Sequence, residues 1–125
     1  MAPRLDHVML DVSDYAASKA FYEQALAPLG MKVVMEPSPE VGGFGADFPF
    51  FWIASRGRGP DSGVHVAFTA EDRETVDAFH AAALAAGGSD NGGPGVREIY
   101  HPNYYGAFVL DPDGNNIETV CHSPG

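Results

Sequence analysis

The chain is poor in cysteine, in basic residues and in long apolar runs, and each shortage removes a class of function. One cysteine, Cys121, in 125 residues leaves no partner for an internal disulfide and suits a reducing compartment. Seven Lys and Arg stand against 17 Asp and Glu, for a formal charge of −10. So acidic a chain repels phosphate backbones, which argues against nucleic-acid partners, and anionic membrane surfaces are disfavoured for the same reason. No apolar stretch approaches the roughly 20 residues that cross a bilayer. The opening Met1-Ala2-Pro3-Arg4-Leu5-Asp6-His7 has no apolar signal region. The expectation is a cytoplasmic protein.

What is present is a globular composition, 45% apolar and 19% charged, in a chain of 13.2 kDa. That is enough for one compact domain, or for two half-domains that share a core. Sliding the sequence until His7 falls on His65 also matches Val8 with Val66, Asp14 with Asp72, Phe21 with Phe79, Leu26 with Leu84 and Gly30 with Gly88. Three alanine pairs match as well and carry little weight. The chain contains itself twice.

Periodicity gives each copy the same plan. Leu5–Val12 alternates as a strand, with Leu5, His7, Met9 and Asp11 on one face and Asp6, Val8, Leu10 and Val12 on the other. Ser13 or Asp14 can cap a helix whose stripe is Tyr15, Ser18, Phe21, Tyr22, Ala25, Leu26 and Leu29, with Gly30 as its stop. Met31–Glu36, Gly43–Ala46 and Phe50–Ser55 read as strands, and the stretch from Arg56 to Ser62 as a linker. The second copy offers a strand over Gly63–Thr69 and a helix over Asp72–Ala86. A glycine-rich loop over Gly87–Gly95 and a short strand over Val96–Tyr100 follow. Strands over Tyr104–Leu110 and Asn115–His122 meet at the turn Asp111-Pro112-Asp113-Gly114, where proline presets φ and glycine takes the left-handed position. The fold class is therefore α+β, two βαβββ modules in tandem (residues 1–57 and 58–125) forming a cupped mixed sheet within one domain.

A pseudo-two-fold between the modules places the first strands side by side, so that His7 and His65 approach each other. Glu118 is a carboxylate on an otherwise apolar strand, where an unpaired charge is costly. Two histidines and a carboxylate make a facial set that leaves positions open on a divalent ion. His101, Tyr104 and Tyr105 lie in and beside a loop that leads into a strand of this site, and are the candidates for proton transfer or substrate contact. His80 reads as a partly exposed helix residue and His122 as a surface one. Phe44, Phe48, Phe50, Phe51 and Trp52 supply core, a dimer contact or an apolar pocket wall.

Three segments resemble the vicinal oxygen chelate superfamily of glyoxalases, bleomycin-resistance proteins and extradiol dioxygenases. They are Leu5-Asp6-His7-Val8-Met9-Leu10, Gly63-Val64-His65-Val66-Ala67-Phe68, and Phe108-Val109-Leu110 running through Asp111-Pro112-Asp113-Gly114-Asn115-Asn116 to Ile117-Glu118. The resemblance spans essentially the whole chain. It implies a divalent metal (Zn, Fe, Mn or Ni) on His7, His65 and Glu118, a small-molecule substrate that chelates it, and a homodimer. In the glyoxalase I branch a second glutamate makes a fourth ligand. By analogy with Ile117-Glu118 that corner falls on Ile53-Ala54, and alanine cannot ligate. Two functions follow from the resemblance: a glyoxalase-like lyase or isomerase or a ring-cleaving dioxygenase on one hand, and a non-catalytic drug- or small-molecule-binding protein on the other.

Overall fold

The structure, a computed structural model, describes residues 2–125. The first repeat forms β1 (Val8–Asp11), α1 (Tyr15–Ala25), β2 (Lys32–Ser38), β3 (Val41–Gly45) and β4 (Phe51–Ala54). The second forms β5 (His65–Thr69), α2 (Arg73–Ala85), β6 (Ser89–Val96), β7 (Tyr105–Leu110) and β8 (Asn116–Cys121). Each repeat closes its own mixed sheet, in the orders β1-β4-β3-β2 and β5-β8-β7-β6. First and last strands run parallel, as the intervening helix requires, and the other pairs are antiparallel. This is the α+β plan of two βαβββ units that the repeat predicts.

Side-chain caps start both helices. Asp14 accepts from the Ala17 N–H at 3.1 Å, and Asp72 accepts from the Thr75 N–H at 2.8 Å, each satisfying a donor that the first turn leaves open. The first helix ends sooner than its apolar stripe suggests. A 3-10 turn over Ala27–Leu29, with Pro28 inside it, intervenes before Gly30. Proline has no N–H with which to continue the α ladder.

A larger difference falls in the second repeat. The glycine-rich stretch expected as a loop is mostly strand β6, while the stretch expected as a short strand, residues 96–100, belongs to β6 only at Val96. β6 lies at the sheet edge with β7 as its one neighbour, and its register slips between Asp90 and Gly92 and again between Gly92 and Gly95. An edge tolerates such bulges because no second neighbour depends on its alignment. The edge strand β2 tolerates Pro37 for the same reason.

Apolar residues on the helix side of both sheets merge into one core. Leu10, Phe21, Tyr22, Phe44, Phe51 and Ile53 from the first repeat join Phe68, Phe79, Val109 and Ile117 from the second. The Phe51 and Phe68 rings meet edge-on at 5.2 Å across the boundary. The buried Tyr22 hydroxyl donates to the Asp111 carboxylate, which also receives the Asp113 and Asn115 N–H groups at 2.9 Å each. The first helix is thereby tied to the β7–β8 turn of the other repeat. The opposite sheet faces, with His7, Met9 and Trp52 on one and His65, Phe108 and Glu118 on the other, lie away from this core.

The connection between the repeats is anchored at the end of β1. Arg56 donates from Nε and Nη2 to the two Asp11 carboxylate oxygens at 2.8 and 3.1 Å, and the Asp11 N–H donates to Asp61 at 2.7 Å. The hydrogen bond from Arg56 holds the Asp11 carboxyl below its ordinary value. The stabilisation is fully present above the unfolded-state carboxyl value of about 3.9 and is lost as pH falls through the lowered folded value. Asp11→Asn should therefore lower the urea midpoint at pH 7 and lose less than the parent chain on acidification below pH 4. Equal acid slopes for the two proteins would contradict this assignment.

Candidate functional site

Glu118 lies in the middle of β8, opposite Ala67 of β5 and Phe108 of β7. Its side chain is only 2% exposed, while that of His65 is 53% exposed. Burial of a carboxylate demands partners, and the neighbouring strands supply them. Oε1 lies 2.9 Å from His65 Nε2. Oε2 accepts the Tyr104 hydroxyl. Both oxygens are thus engaged, one by the imidazole of a half-exposed side chain.

Gly106 makes this arrangement possible. A Cβ there would stand 3.0 Å from Glu118 Oε2 and 3.3 Å from the Tyr104 ring, so a side chain would press on the hydrogen bond itself. Tyr104 is pushed well above the usual phenol value, first by burial, then by its bond to Glu118 and by that carboxylate's charge. It stays protonated across the physiological range.

The remaining expected residues divide by face. His101 packs against the Tyr104 ring, with centroids 5.6 Å apart. The Asn103 N–H donates to His101 Nδ1 at 3.1 Å, which leaves the proton on Nε2 and makes it the donor to His122 Nδ1 at 2.8 Å. The surface histidine His122 thereby helps to hold the loop that carries Tyr104. Tyr105 follows Tyr104 and alternates to the other side of the sheet, where its hydroxyl donates to Asp77 of α2 at 2.6 Å and Arg73 stacks on its ring. It takes no part in the Glu118 cluster. His80 bonds Asp90 at 3.0 Å and ties α2 to β6.

His7 stands apart from the pair. It precedes β1, is 57% exposed at its side chain, and contacts Asp6 at 2.6 Å. It opens onto a cleft of about 200 Å³ whose lining includes Phe50, Val66 and Ala67, so the two first strands flank one cleft without pairing. Among the described residues no three His, Cys, Asp or Glu side chains are grouped closely enough to share an ion. One chain therefore brings together two of the three expected donors, His65 and Glu118. An imidazole nitrogen and a carboxylate are donor types suited to a divalent ion, and His7 does not join them within the chain.

Strand register also relocates the fourth corner. β1 and β4 pair Met9 with Trp52, as β5 and β8 pair Ala67 with Glu118. The displacement that sets His7 on His65 sets Met9 on Ala67, so Glu118 corresponds to Trp52 and not to Ala54. An indole cannot ligate either. The counterpart of the buried carboxylate is a large apolar wall, closed on one side by Gly43, where a Cβ would meet the Trp52 ring at 2.9 Å. Matching Ile53-Ala54 to Ile117-Glu118 by apolar pattern slips the register by two residues, because the segments between β2 and β4 differ in length from those between β6 and β8.

Comparison with known proteins agrees with this architecture. A family model described as the Glyoxalase/Bleomycin resistance protein/Dioxygenase superfamily matches residues 4–119. A glyoxalase/bleomycin resistance protein from Albidiferax ferrireducens T118 is similar at 32% identity and a TM-score of 0.80, over 94% of this chain and 97% of its own. A glyoxalase/bleomycin resistance protein/dioxygenase family enzyme from Burkholderia phytofirmans PsJN shares the fold at 22% identity and a TM-score of 0.76, over 97% and 100% of the two chains. A lactoylglutathione lyase from Agrobacterium tumefaciens does so at 17% identity and 0.71, over 97% and 95%. No curated protein matches.

Because His65 and Tyr104 satisfy one shared carboxylate, their contributions should be coupled. Tyr104→Phe leaves a buried carboxylate oxygen without its donor and should cost about 1–3 kcal/mol in urea unfolding. His65→Ala should cost less, since its ring is half in solvent. The double mutant should depart from the sum of the two by at least about 0.5 kcal/mol. Strict additivity would show that the two residues do not share Glu118.

Proposed function

The chain belongs to the Glyoxalase/Bleomycin resistance protein/Dioxygenase superfamily, and from that premise we propose that it is a metal-dependent enzyme acting on a small oxygenated substrate. The observation that carries the proposal is the buried Glu118 carboxylate set against the His65 imidazole on an open sheet face. The ion would be held by His65 and Glu118 of one chain and by His7 of a second copy. Three features favour completion between copies. His7 is engaged elsewhere in its own chain, β1 and β5 each have a free edge, and apolar Leu5 and Met9 are exposed beside His7. In a two-fold dimer the contact is reciprocal, and two equivalent sites form. On this reading the protein works as a homodimer in the cytoplasm. No helix among the described residues is long and apolar enough to cross a membrane.

When bound, a divalent ion with open positions supplies Lewis acidity toward two neighbouring oxygens of a substrate. The chain supplies the rest. Tyr104 keeps a proton on its hydroxyl beside the ion site, as a hydrogen-bond donor toward a developing oxyanion. His101, braced by Asn103 and His122, positions the Tyr104 ring and does not touch the reacting atoms. Glu118 would hold the ion together with His65, and its Oε2 accepts the Tyr104 hydroxyl and so orients that group on the same face. Lyase, isomerase and ring-cleaving chemistry all draw on these parts.

One observation favours the second reading, a binding protein without chemistry: both Glu118 oxygens are already satisfied within the chain. Metal content separates the two. Protein purified without a histidine tag should carry about one ion per chain, and His7→Ala and Glu118→Ala should each abolish it. An equimolar mixture of those two variants should regain about a quarter of the parent content, because only the heterodimer keeps one intact site. Absence of metal in the parent chain, with ligand binding indifferent to added ions, would establish the second reading. Sedimentation at micromolar concentration giving only a 13.2 kDa species would overturn completion by a second copy.

A further inference from the structure

The glycine-rich strand β6 and the arginine that follows it have no role in the scheme above, although both border the same sheet face. Arg97 is half-buried at the rim of the second sheet, with its guanidinium carbon 5.4 Å from the centroid of the Phe108 ring. Phe108 is the cross-strand partner of Glu118, and its ring centroid lies 6.1 Å from that of His65. The guanidinium occupies the space that missing side chains leave open. A Cβ on Gly95 would stand 2.9 Å from Arg97 Nη1, and one on Gly92 would stand 3.4 Å from Nη2 and 3.0 Å from Phe108. The two glycines are what let a flat cation lie against the strand.

Arg97 has little to occupy it within the chain. Its one side-chain hydrogen bond runs from Nη2 to the Gly93 carbonyl at 2.6 Å. The chain carries 17 carboxylates, yet among the described residues none forms a salt bridge with Arg97. Most of a five-donor fork, immobilised over an aromatic ring near a His–Glu pair, is left for something that is not protein.

We propose that Arg97 is the anchor for a substrate carboxylate, and that the substrate class is a small organic monoanion lying over Phe108 with its other end toward His65 and Glu118. The proposal rests on reading this sheet face as the substrate face. Charge favours a carboxylate over a phosphate, because the one guanidinium at this end of the face balances one negative charge. Planarity agrees, since a carboxylate meets the fork with two parallel hydrogen bonds. Phe108 provides a flat apolar floor between the anchor and the His65–Glu118 pair.

The test is isothermal titration of the intact protein with three probes: benzoate, its uncharged isostere benzamide, and phenyl phosphate. Benzoate should bind, and benzamide should bind at least about tenfold more weakly, the difference expected for loss of a charge-assisted pair. Arg97→Gln should abolish the preference for benzoate, with its urea midpoint and metal content unchanged. Arg97→Lys should recover part of it, and Gly95→Ala should weaken it by displacing the fork. Benzoate affinity that survives Arg97→Gln, or equal affinity for benzamide, overturns the proposal. Tighter binding of phenyl phosphate overturns the choice of carboxylate. The metal reading fails separately: a metal-free protein that still holds benzoate through Arg97 sinks that reading alone, and a metal-loaded protein indifferent to benzoate sinks this one alone.

Discussion

Neither βαβββ unit can hide its helix face by itself, and the molecule is organised around that shortage. Four strands and one helix leave a row of large aromatic side chains that must be covered, and the other repeat covers them. Phe51 against Phe68, with Tyr22 and Phe79 beside them, fills the space where the repeats meet. The fully buried Tyr22 hydroxyl cannot enter that space without an acceptor, and Asp111 of the opposite repeat provides it. The same packing decides where function can be. Once the helix sides are committed to each other, the opposite sheet faces are the surfaces left to take a ligand.

The two faces have diverged from a common plan. At equivalent positions in the register one holds Trp52 and the other Glu118. An indole on Gly43 makes an apolar wall, whereas a carboxylate on Gly106 with His65 and Tyr104 makes a polar, proton-holding cluster. Duplication explains why both faces begin with a histidine, and divergence explains why only one can keep a buried charge. The wall and the charged cluster, one from each repeat, give the two sheet faces opposite chemistry, one apolar and one able to hold protons and charge.

Much of this was legible in the residues. The repeat revealed the element order, since His-Val, Asp, Phe and Leu recur in register and the periodicity changes from two to 3.6 and back. Asp14, one of two candidates for the first cap, and the Asp111–Gly114 turn carry their own mechanisms and stand where expected, whereas Asp72, read as the first residue of the second helix, is its cap. Glu118 was identifiable as a carboxylate out of place among apolar neighbours, and Tyr104 only as one of two phenols beside a loop that leads into a site strand. What was not legible depends on register and on edges. β6 looks like a loop because glycines outnumber side chains, and nothing local reports that β7 lies alongside it. Trp52 takes the fourth corner through a pairing that loops of unequal length conceal. Tyr104 and Tyr105 are interchangeable as letters, and only alternation across β7 sends one to Glu118 and the other to Asp77. The separation of His7 from His65 is a fact of tertiary packing, which strand pattern alone cannot convey.

Electrostatics connects the acidic composition to the site. A chain with a formal charge of −10 repels small anions at long range, and Glu118 adds a buried negative charge at the centre of the candidate face. Any anionic ligand entering there needs local compensation within a few ångströms, because beyond about 10 Å salt screens the attraction. The seven basic residues are few. Lys19 is committed to Glu36 at 2.9 Å and Arg56 to Asp11 at 2.8 Å, which fixes two of them at structural contacts. Arg97 is held instead by its contact with Phe108 and by the clearance over Gly92 and Gly95. Held by packing rather than by a carboxylate, it keeps its full charge directed at the face. A divalent ion on His65 and Glu118 would change the sign of the field at one end of that face and leave it unchanged at the other. A ligand with two oxygens at one end and a carboxylate at the other would then meet positive potential at both, across an apolar floor whose length sets which molecules fit.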